Sequence, residues 1–494
     1  VAKTFYWYDF ETFGVDPARD RPVQFAGMRT DLEFNQIGDP LVIYCKPADD
    51  VLPHPQACLL TGITPQVGVE KGVPEAEFIK RILDEFSRPD TCVLGYNSLR
   101  FDDEVTRYTL YRNLHDPYAR EWRNGNSRWD IIDMVRLAFA VRPDGINWPL
   151  REDGSASFRL EELTRQNNIA HEGAHDALAD VYATIELAKL LKSKQPRLYD
   201  YVFNHRSKQS IDKQLQLVDP KPLVHISGMY GAGQGNIAIV LPIARDRINK
   251  NAVYVYDLRE DAEPLLSLSV EQLNKRLFTP RAKLAQSELP VSIKAVHLNR
   301  CPVLAPINIL DENTCRRWNL NVDQAQDRAE QLLANTSLAG RVQKAFEIRE
   351  FEPISDSDLM LYSGGFSDLM LYSGGFFNDN DRSYMDDIRN VQPAQLASKV
   401  LPPFSDDRLS EMIFRYRARN WPETLAGDEA DSWAEHCVAR LTGQDGVSTI
   451  SLKDYFETIE RFRQDKSLGE KQQLILVELE KYGRAKQAAF NIEL

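Results

Sequence analysis

Asp9 and Glu11 stand two residues apart in the apolar run TFYWYDFETFG. On a strand, residues i and i+2 project from one face, so two carboxylates would lie side by side on a hydrophobic segment. Like charges that close raise each other's free energy unless a cation lies between them. Two further acids sit where one element hands over to the next. Asp102, in NSLRFDDE, follows the strand-like TCVLGYN and opens a helical stretch, a junction that commonly presents functional groups. Asp180, in AHDALADVYATIELAKL, shares a helical face with Ala177, Val181 and Thr184, opposite Lys189, so it faces inward, where an uncompensated charge is costly. His175 precedes it at the expected start of that helix. Oxygen-only donors favour magnesium or manganese over zinc. Two such ions about 3.5–4 Å apart can clamp the attacking and leaving oxygens of a phosphodiester. A histidine, with an ordinary pKa of roughly 6.5, can take a proton from the attacking water. The expectation is a metal set of Asp9, Glu11, Asp102 and Asp180, with His175 as general base.

Taken singly, each piece has a blander explanation. An Asp-x-Glu pair is usually a solvated strand face, and a polar residue near a helix start often serves as a cap. Asp103 and Asp176 compete for the same roles, although Asp103 can pair with Arg107 at i,i+4.

The elements that would carry these residues follow from hydrophobic periodicity. Strands are predicted at 5–11, 23–30 and 41–46, then a helix through PEAEFIKRILDEF, whose Phe78, Ile79, Ile82, Leu83 and Phe86 recur at helical spacing. The buried strand TCVLGYN precedes helices at 101–114, 130–141, 159–167 and 176–192. Three successive strands followed by alternating helix and strand predict a mixed sheet flanked by helices, ending near Pro196. From Lys221 the segments GNIAIVLPIAR, NAVYVYDL and VSIKAVHLNRCPVLAP are β-rich, with INKN as a turn. From about Phe377 long amphipathic patterns return, among them LKDYFETIERFRQD and EKQQLILVELEKYGRAKQ, and predict a helical C-terminal region. SDLMLYSGGF occurs twice in tandem at 357–376; two copies are too few for a solenoid, and a surface-loop duplication is expected, with a sequence-assembly artefact as the alternative and no function assigned.

The chain has 494 residues, 43% of them hydrophobic, enough for two or three domains. It contains no run long enough to span a membrane and no signal-peptide pattern, so no membrane association is expected. Six scattered cysteines without a Cys-x-x-Cys pair point to reduced thiols, a cytoplasmic protein and no structural zinc. The net charge of −13 speaks against nucleic acid as a partner when taken alone, yet a local basic channel can still bind phosphates.

The order DFET, NSLRFDD, HDALAD resembles the three motifs of the DEDD 3′→5′ exonuclease superfamily in its histidine branch; the tyrosine branch would place Tyr where Asp176 stands. FDDEVTRYTLYRN, NSRWDIIDMVR, RPDGINWP, KPLVHISGM and RYRARNWPETL extend the resemblance to the bacterial exodeoxyribonuclease I family, along all of the chain except the duplicated decapeptide. The resemblance implies an RNase H-like α/β exonuclease domain at 1–196, an SH3-like domain at 197–350 and a C-terminal helical domain at 351–494. It further implies processive 3′→5′ hydrolysis of single-stranded DNA to 5′-mononucleotides in DNA repair and recombination. Asp9, Glu11 and Asp180 would hold the first magnesium ion (or manganese), Asp102 would support the second, and His175 would be the base. Glu11 and the backbone around Thr12 would lie against the 3′-terminal nucleotide, and Asn97 and Arg159 would also bind substrate. A partnership with single-stranded DNA-binding protein through its acidic tail, and a monomeric state, are also expected.

Contacts to the strand rest on composition. PYAREWRNGNSRWD interleaves Tyr118, Trp122 and Trp129 with Arg120, Arg123 and Arg128, the mixture of stacking faces and cations used for non-specific single-strand binding, with core packing as the alternative for the tryptophans. Arg107 and Arg136 would extend the track. Arg159 follows the potential cap Ser157, so it would sit in a helix's first turn and oppose the dipole unless an anion such as a phosphate joins it; Glu162 is the bland alternative. Arg415 and Arg419 share a face in FRYRARNWP, which is otherwise read as a solvated helix face. GMYGAGQGN lacks the Lys-Ser/Thr and the following helix of a P-loop, and DNDRSYMDDIRN lacks the Gly and Glu of a calcium loop. Two further functions remain open: a 3′ exonuclease on RNA or on a polymerase's mismatched terminus, and an inactive DNA-binding scaffold.

Overall fold

The computed structural model describes residues 2–171, 176–286, 288–348, 366–398 and 403–493. The chain forms two compact units, one of residues 1–128, 172–182 and 353–494, the other of residues 129–171 and 183–352.

The first unit is built on a mixed sheet. Strands β1 (Thr4–Thr12), β2 (Pro22–Thr30), β3 (Leu41–Tyr44), β4 (Thr91–Gly95) and β5 (Ser127–Asp130), whose last two residues are counted in the second unit, take the order β3-β2-β1-β4-β5. β1 pairs antiparallel with β2 and parallel with β4. Alternation along β1 sends Tyr6, Tyr8 and Phe10 into a core with Phe25, Ile43, Phe78, Ile82, Phe86, Val105 and Leu110. The helices Glu75–Phe86 and Asp102–Arg112 supply the far side of that core. The opposite face of β1 carries Phe5, Trp7, Asp9 and Glu11, so the two acids end a row that begins with buried aromatics.

The C-terminal helices complete the same unit. Leu452–Arg463 and Glu470–Ala489 pack Tyr455, Ile459, Ile475, Leu476 and Leu479 against Phe13, Val23, Leu52 and Cys58. The helix Arg408–Asn420 packs Leu409, Met412, Ile413 and Tyr416 against Tyr111 and Leu114.

The second copy of the tandem decapeptide is packed into the unit rather than forming the expected surface loop. In its second copy, residues 367–376, Ser367 and Asp368 are buried, the Tyr111 hydroxyl donates to the Ser367 carbonyl, and Asp368 accepts from Arg415 and Arg419. Leu371 lies in the core, and the Tyr372 hydroxyl bonds Glu104. Residues 357–365 of the first copy lie outside the described residues.

The second unit holds an antiparallel sheet of β6 (Leu223–Ile226), β7 (Ile237–Arg245), β8 (Ala252–Asp257), β9 (Ile293–His297) and β10 (Val303–Pro306), ordered β10-β6-β7-β8-β9. Its core joins Val240, Val253, Val255, Val296 and Leu304 to Ile211 and Leu215. Among the described residues no helix is long and apolar enough to cross a membrane.

Candidate active site

β1 pairs with β4 only as far as Trp7 opposite Leu94, so Asp9 and Glu11 extend beyond the paired end of β4. The chain leaves β4 through Gly95, where a Cβ would lie 2.7 Å from the Tyr8 carbonyl oxygen, and turns at Asn97 with a left-handed φ of 60°. That turn delivers Asp102 to the start of its helix, where one carboxylate oxygen accepts from the Phe10 amide at 3.3 Å, between the two acids of β1. Asp180 arrives from the helix Ala177–Lys194, one turn in from its start. The Asp176 side chain caps that helix, accepting from the Leu178 and Ala179 amides at 3.2 and 3.3 Å. Carboxylate oxygens of Asp9, Glu11 and Asp180 come within 4.8 Å of one another.

The electrostatics of this cluster are unbalanced. Burial, and after it the charges of Asp102, Glu11 and Asp180, hold the Asp9 carboxyl well above the usual carboxylate range. Burial, then Asp180 and Asp102, push Glu11 up to about 9. The charges acting on this pair are other carboxylates, which is the environment a divalent cation would relieve. Asp103, one residue from Asp102, is the reverse case: despite its burial, Arg128 and Arg120 hold its carboxyl below the usual range. Arg120 donates to it at 2.5 Å, Arg128 donates to its other oxygen, and the Tyr8 hydroxyl donates at 3.0 Å. Asp103 thus ties the helix to the underside of β1 while Asp102 serves the cluster.

Several sequence expectations change here. Asp103 does not pair with Arg107; Arg107 is buried with Glu104 and Glu121. Arg128 is taken by Asp103 and Glu121, and Arg136 by Asp133. Arg415 and Arg419 lie neither on a strand-binding track nor on a solvated helix face: both are buried against Asp368, with Glu411 and Asp50 as further partners. A guanidinium removed from water needs a carboxylate, and these have theirs within the protein. Trp129 is core, packed edge-on to Tyr199 with ring centroids 5.2 Å apart. Trp122 is 63% exposed with Arg123 beside its ring, and Tyr118 is half-buried with Arg107 over its face. Arg159 is the N-cap residue of a shorter helix, Leu160–Gln166; its side chain is exposed and lies 3.7 Å from Glu162. Thr12 is buried, its hydroxyl donating to the Gly14 carbonyl at 2.6 Å. His175 lies outside the described residues. Gln24, directly opposite Glu11 on β2, was not singled out from sequence, although a glutamine in the apolar run PVQFAGM is itself a signal.

Family models match the chain in three consecutive stretches: Exonuclease over residues 6–188, Exonuclease I SH3-like domain over 206–348 and Exonuclease I C-terminal domain over 367–486. Exodeoxyribonuclease I of Escherichia coli (strain K12) is 48% identical over 434 residues, covering 88% of this chain and 89% of that protein. The chain belongs to the exodeoxyribonuclease I family. Accordingly it is an exonuclease, a hydrolase of a metal-dependent family, and the sheet of β6–β10 is the family's SH3-like domain. The zinc-bound E. coli exonuclease I–single-stranded DNA complex superposes with a TM-score of 0.89 at 44% identity, covering 98% of this chain and 100% of that one. An exonuclease I complex with SSB-Ct gives 0.88 at 43%, with the same coverage. The second decapeptide copy begins where the C-terminal family model begins, at Ser367.

Proposed function

We propose that this exodeoxyribonuclease I degrades single-stranded DNA from its 3′ end, processively and to 5′-mononucleotides, as a monomer in the cytoplasm, in DNA repair and recombination. The observation that carries the proposal is the convergence of Asp9, Glu11 and Asp180 within 4.8 Å on elements anchored in the core, where the charges acting on Asp9 and Glu11 are other carboxylates. Hard oxygen donors in that arrangement suit magnesium, or manganese, better than zinc. Asp9, Glu11 and Asp180 would hold one ion and Asp102 would support a second; when bound, the ions supply charge stabilisation at the scissile phosphate. Asp102, fixed to the Phe10 amide, keeps its position relative to both acids of β1. Glu11 and the Thr12 backbone would face the terminal nucleotide, and Asn97, at the turn that follows β4, would be a further substrate contact. His175 would accept the proton of the attacking water.

Tyr118, Trp122 and Arg159 remain the proposed strand contacts, because they keep accessible surface. Single-stranded DNA-binding protein is the proposed protein partner, in line with the SSB-Ct complex of the homologous enzyme. The boundaries 1–196, 197–350 and 351–494 remain the proposed domain division.

The test uses 5′-labelled single-stranded DNA, duplex DNA and RNA, each with magnesium and with chelator. Shortening of the single-stranded DNA from its 3′ end, with magnesium only, is expected. Equal attack on RNA overturns the substrate assignment, and no cleavage of any substrate favours a binding scaffold.

A further inference from the structure

Gln24 is a buried amide in a strand whose other residues are mostly apolar, and its hydrogen bonds explain why it is there. Register places Glu11, Gln24 and Tyr44 directly opposite one another on β1, β2 and β3, so all three project from one face of the sheet. The Gln24 Nε2 donates to the Tyr44 hydroxyl at 3.0 Å and to an Asp176 carboxylate oxygen at 3.3 Å. Its Oε1 accepts from the Ala177 amide at 3.3 Å. Both amide donors and the acceptor are therefore engaged, and two of the three partners are the cap and the first residue of the helix that carries Asp180. Asp176 holds the same helix end from within, through the Leu178 and Ala179 amides.

We propose that Gln24 is a positioning residue that fixes the start of the helix Ala177–Lys194 on the sheet and so sets Asp180 against Asp9 and Glu11. It deepens the metal-site proposal above and rests on it. Glu11 and Gln24 share one row of the sheet, so a single rigid surface locates both the strand acid and the helix that brings the opposing acid. An amide suits this position because it offers two donors and an acceptor without charge. A glutamate there would lose both donors and place another carboxylate between Glu11 and Asp176. A leucine of similar volume would keep the packing and lose all three bonds. Partners that orient ligand-bearing groups in this way typically change metal affinity by about 10- to 100-fold when removed.

The test measures binding of manganese alone to the metal-free full chain by calorimetry, alongside melting in chelator and single-stranded DNA binding in chelator. Wild type is expected to bind manganese and Asp9→Asn to lose that binding. Gln24→Leu and Gln24→Glu are expected to bind manganese at least about tenfold more weakly, with Gln24→Glu the worse, while DNA binding in chelator is retained. Tyr44→Phe, which removes one partner of Gln24 and keeps the ring, is expected to show a smaller loss in the same direction and covers the case in which the buried variants do not fold. Manganese affinity unchanged in Gln24→Leu, or in Tyr44→Phe if only that variant folds, overturns the role of Gln24 and leaves the metal site standing. A wild-type chain that binds no manganese, or an Asp9→Asn chain that binds it normally, overturns the site and this inference with it.

Discussion

Asp102 and Asp103 are neighbours in sequence and opposites in surroundings. Asp103 is buried among Arg120, Arg128 and the Tyr8 hydroxyl and is held ionised below the usual carboxylate range. Asp102 belongs to the cluster in which Asp9 and Glu11 are driven above that range. The same contrast recurs across the first unit. Asp50, Asp368 and Glu75 are buried with arginines and pulled down, Glu75 to about 2. The arginines beside these structural acids compensate their charge, whereas the β1 pair has further carboxylates for neighbours, the surplus that the proposed cation would relieve.

Substitutions at the two kinds of acid should therefore move activity and stability in different ways. The largest effect is expected on cleavage. Asp9→Asn should lower the magnesium-dependent rate by roughly 10²- to 10⁴-fold, the several kcal/mol that a metal's charge stabilisation supplies. In chelator the same variant should melt higher than wild type, by on the order of 1–2 kcal/mol, because it removes a carboxylate from a repelling cluster. Asp103→Asn should do the reverse and lose about 3–5 kcal/mol of stability whether or not metal is present, as removal of one partner from a buried ion pair does. Chemical denaturation of both variants, with and without magnesium, checks the pair. Equal destabilisation by both would erase the distinction.

How far the sequence foretold this contrast depends on the separation between partners. The alternation along β1 and the motif acids at element junctions made the strand, its core face and the cluster legible. The fate of the arginines was not, because their partners are remote: Asp50 lies 369 residues from Arg419. An amphipathic pattern likewise shows that Ile475 and Leu476 face a core without showing that Val23 and Leu52 line it. Local spacing suggested that Asp103 meets Arg107, and tertiary packing put Arg120 and Arg128 there instead.

A smaller effect is expected from pH. Glu75 accepts from Arg112 and Asn113, and its folded value of about 2 lies below its ordinary 4.5. A depressed carboxyl contributes stability above its unfolded pKa and loses it as pH falls through the folded value. Glu75 should thus contribute roughly 3 kcal/mol above pH about 4.5, falling away between there and pH about 2. Denaturant midpoints across that window should drop less steeply in Glu75→Gln, and a parallel pH slope would contradict the assignment. The smallest effect is expected from removal of residues 357–366, which gives the same sequence as removal of 367–376. The docked contacts made from Ser367 onward remain available, so cleavage should be unchanged, and the loss of stability should stay within the ~2 kcal/mol set by the buried Phe366. Cleavage assays and melting of the shortened chain check both.

The most direct measurement is anomalous diffraction from crystals of the full chain soaked in manganese. A peak within about 2.0–2.3 Å of carboxylate oxygens from Asp9, Glu11 and Asp180 together is the expected result. A fully active enzyme whose manganese lies elsewhere, with those three carboxylates not bound to it, would contradict the account.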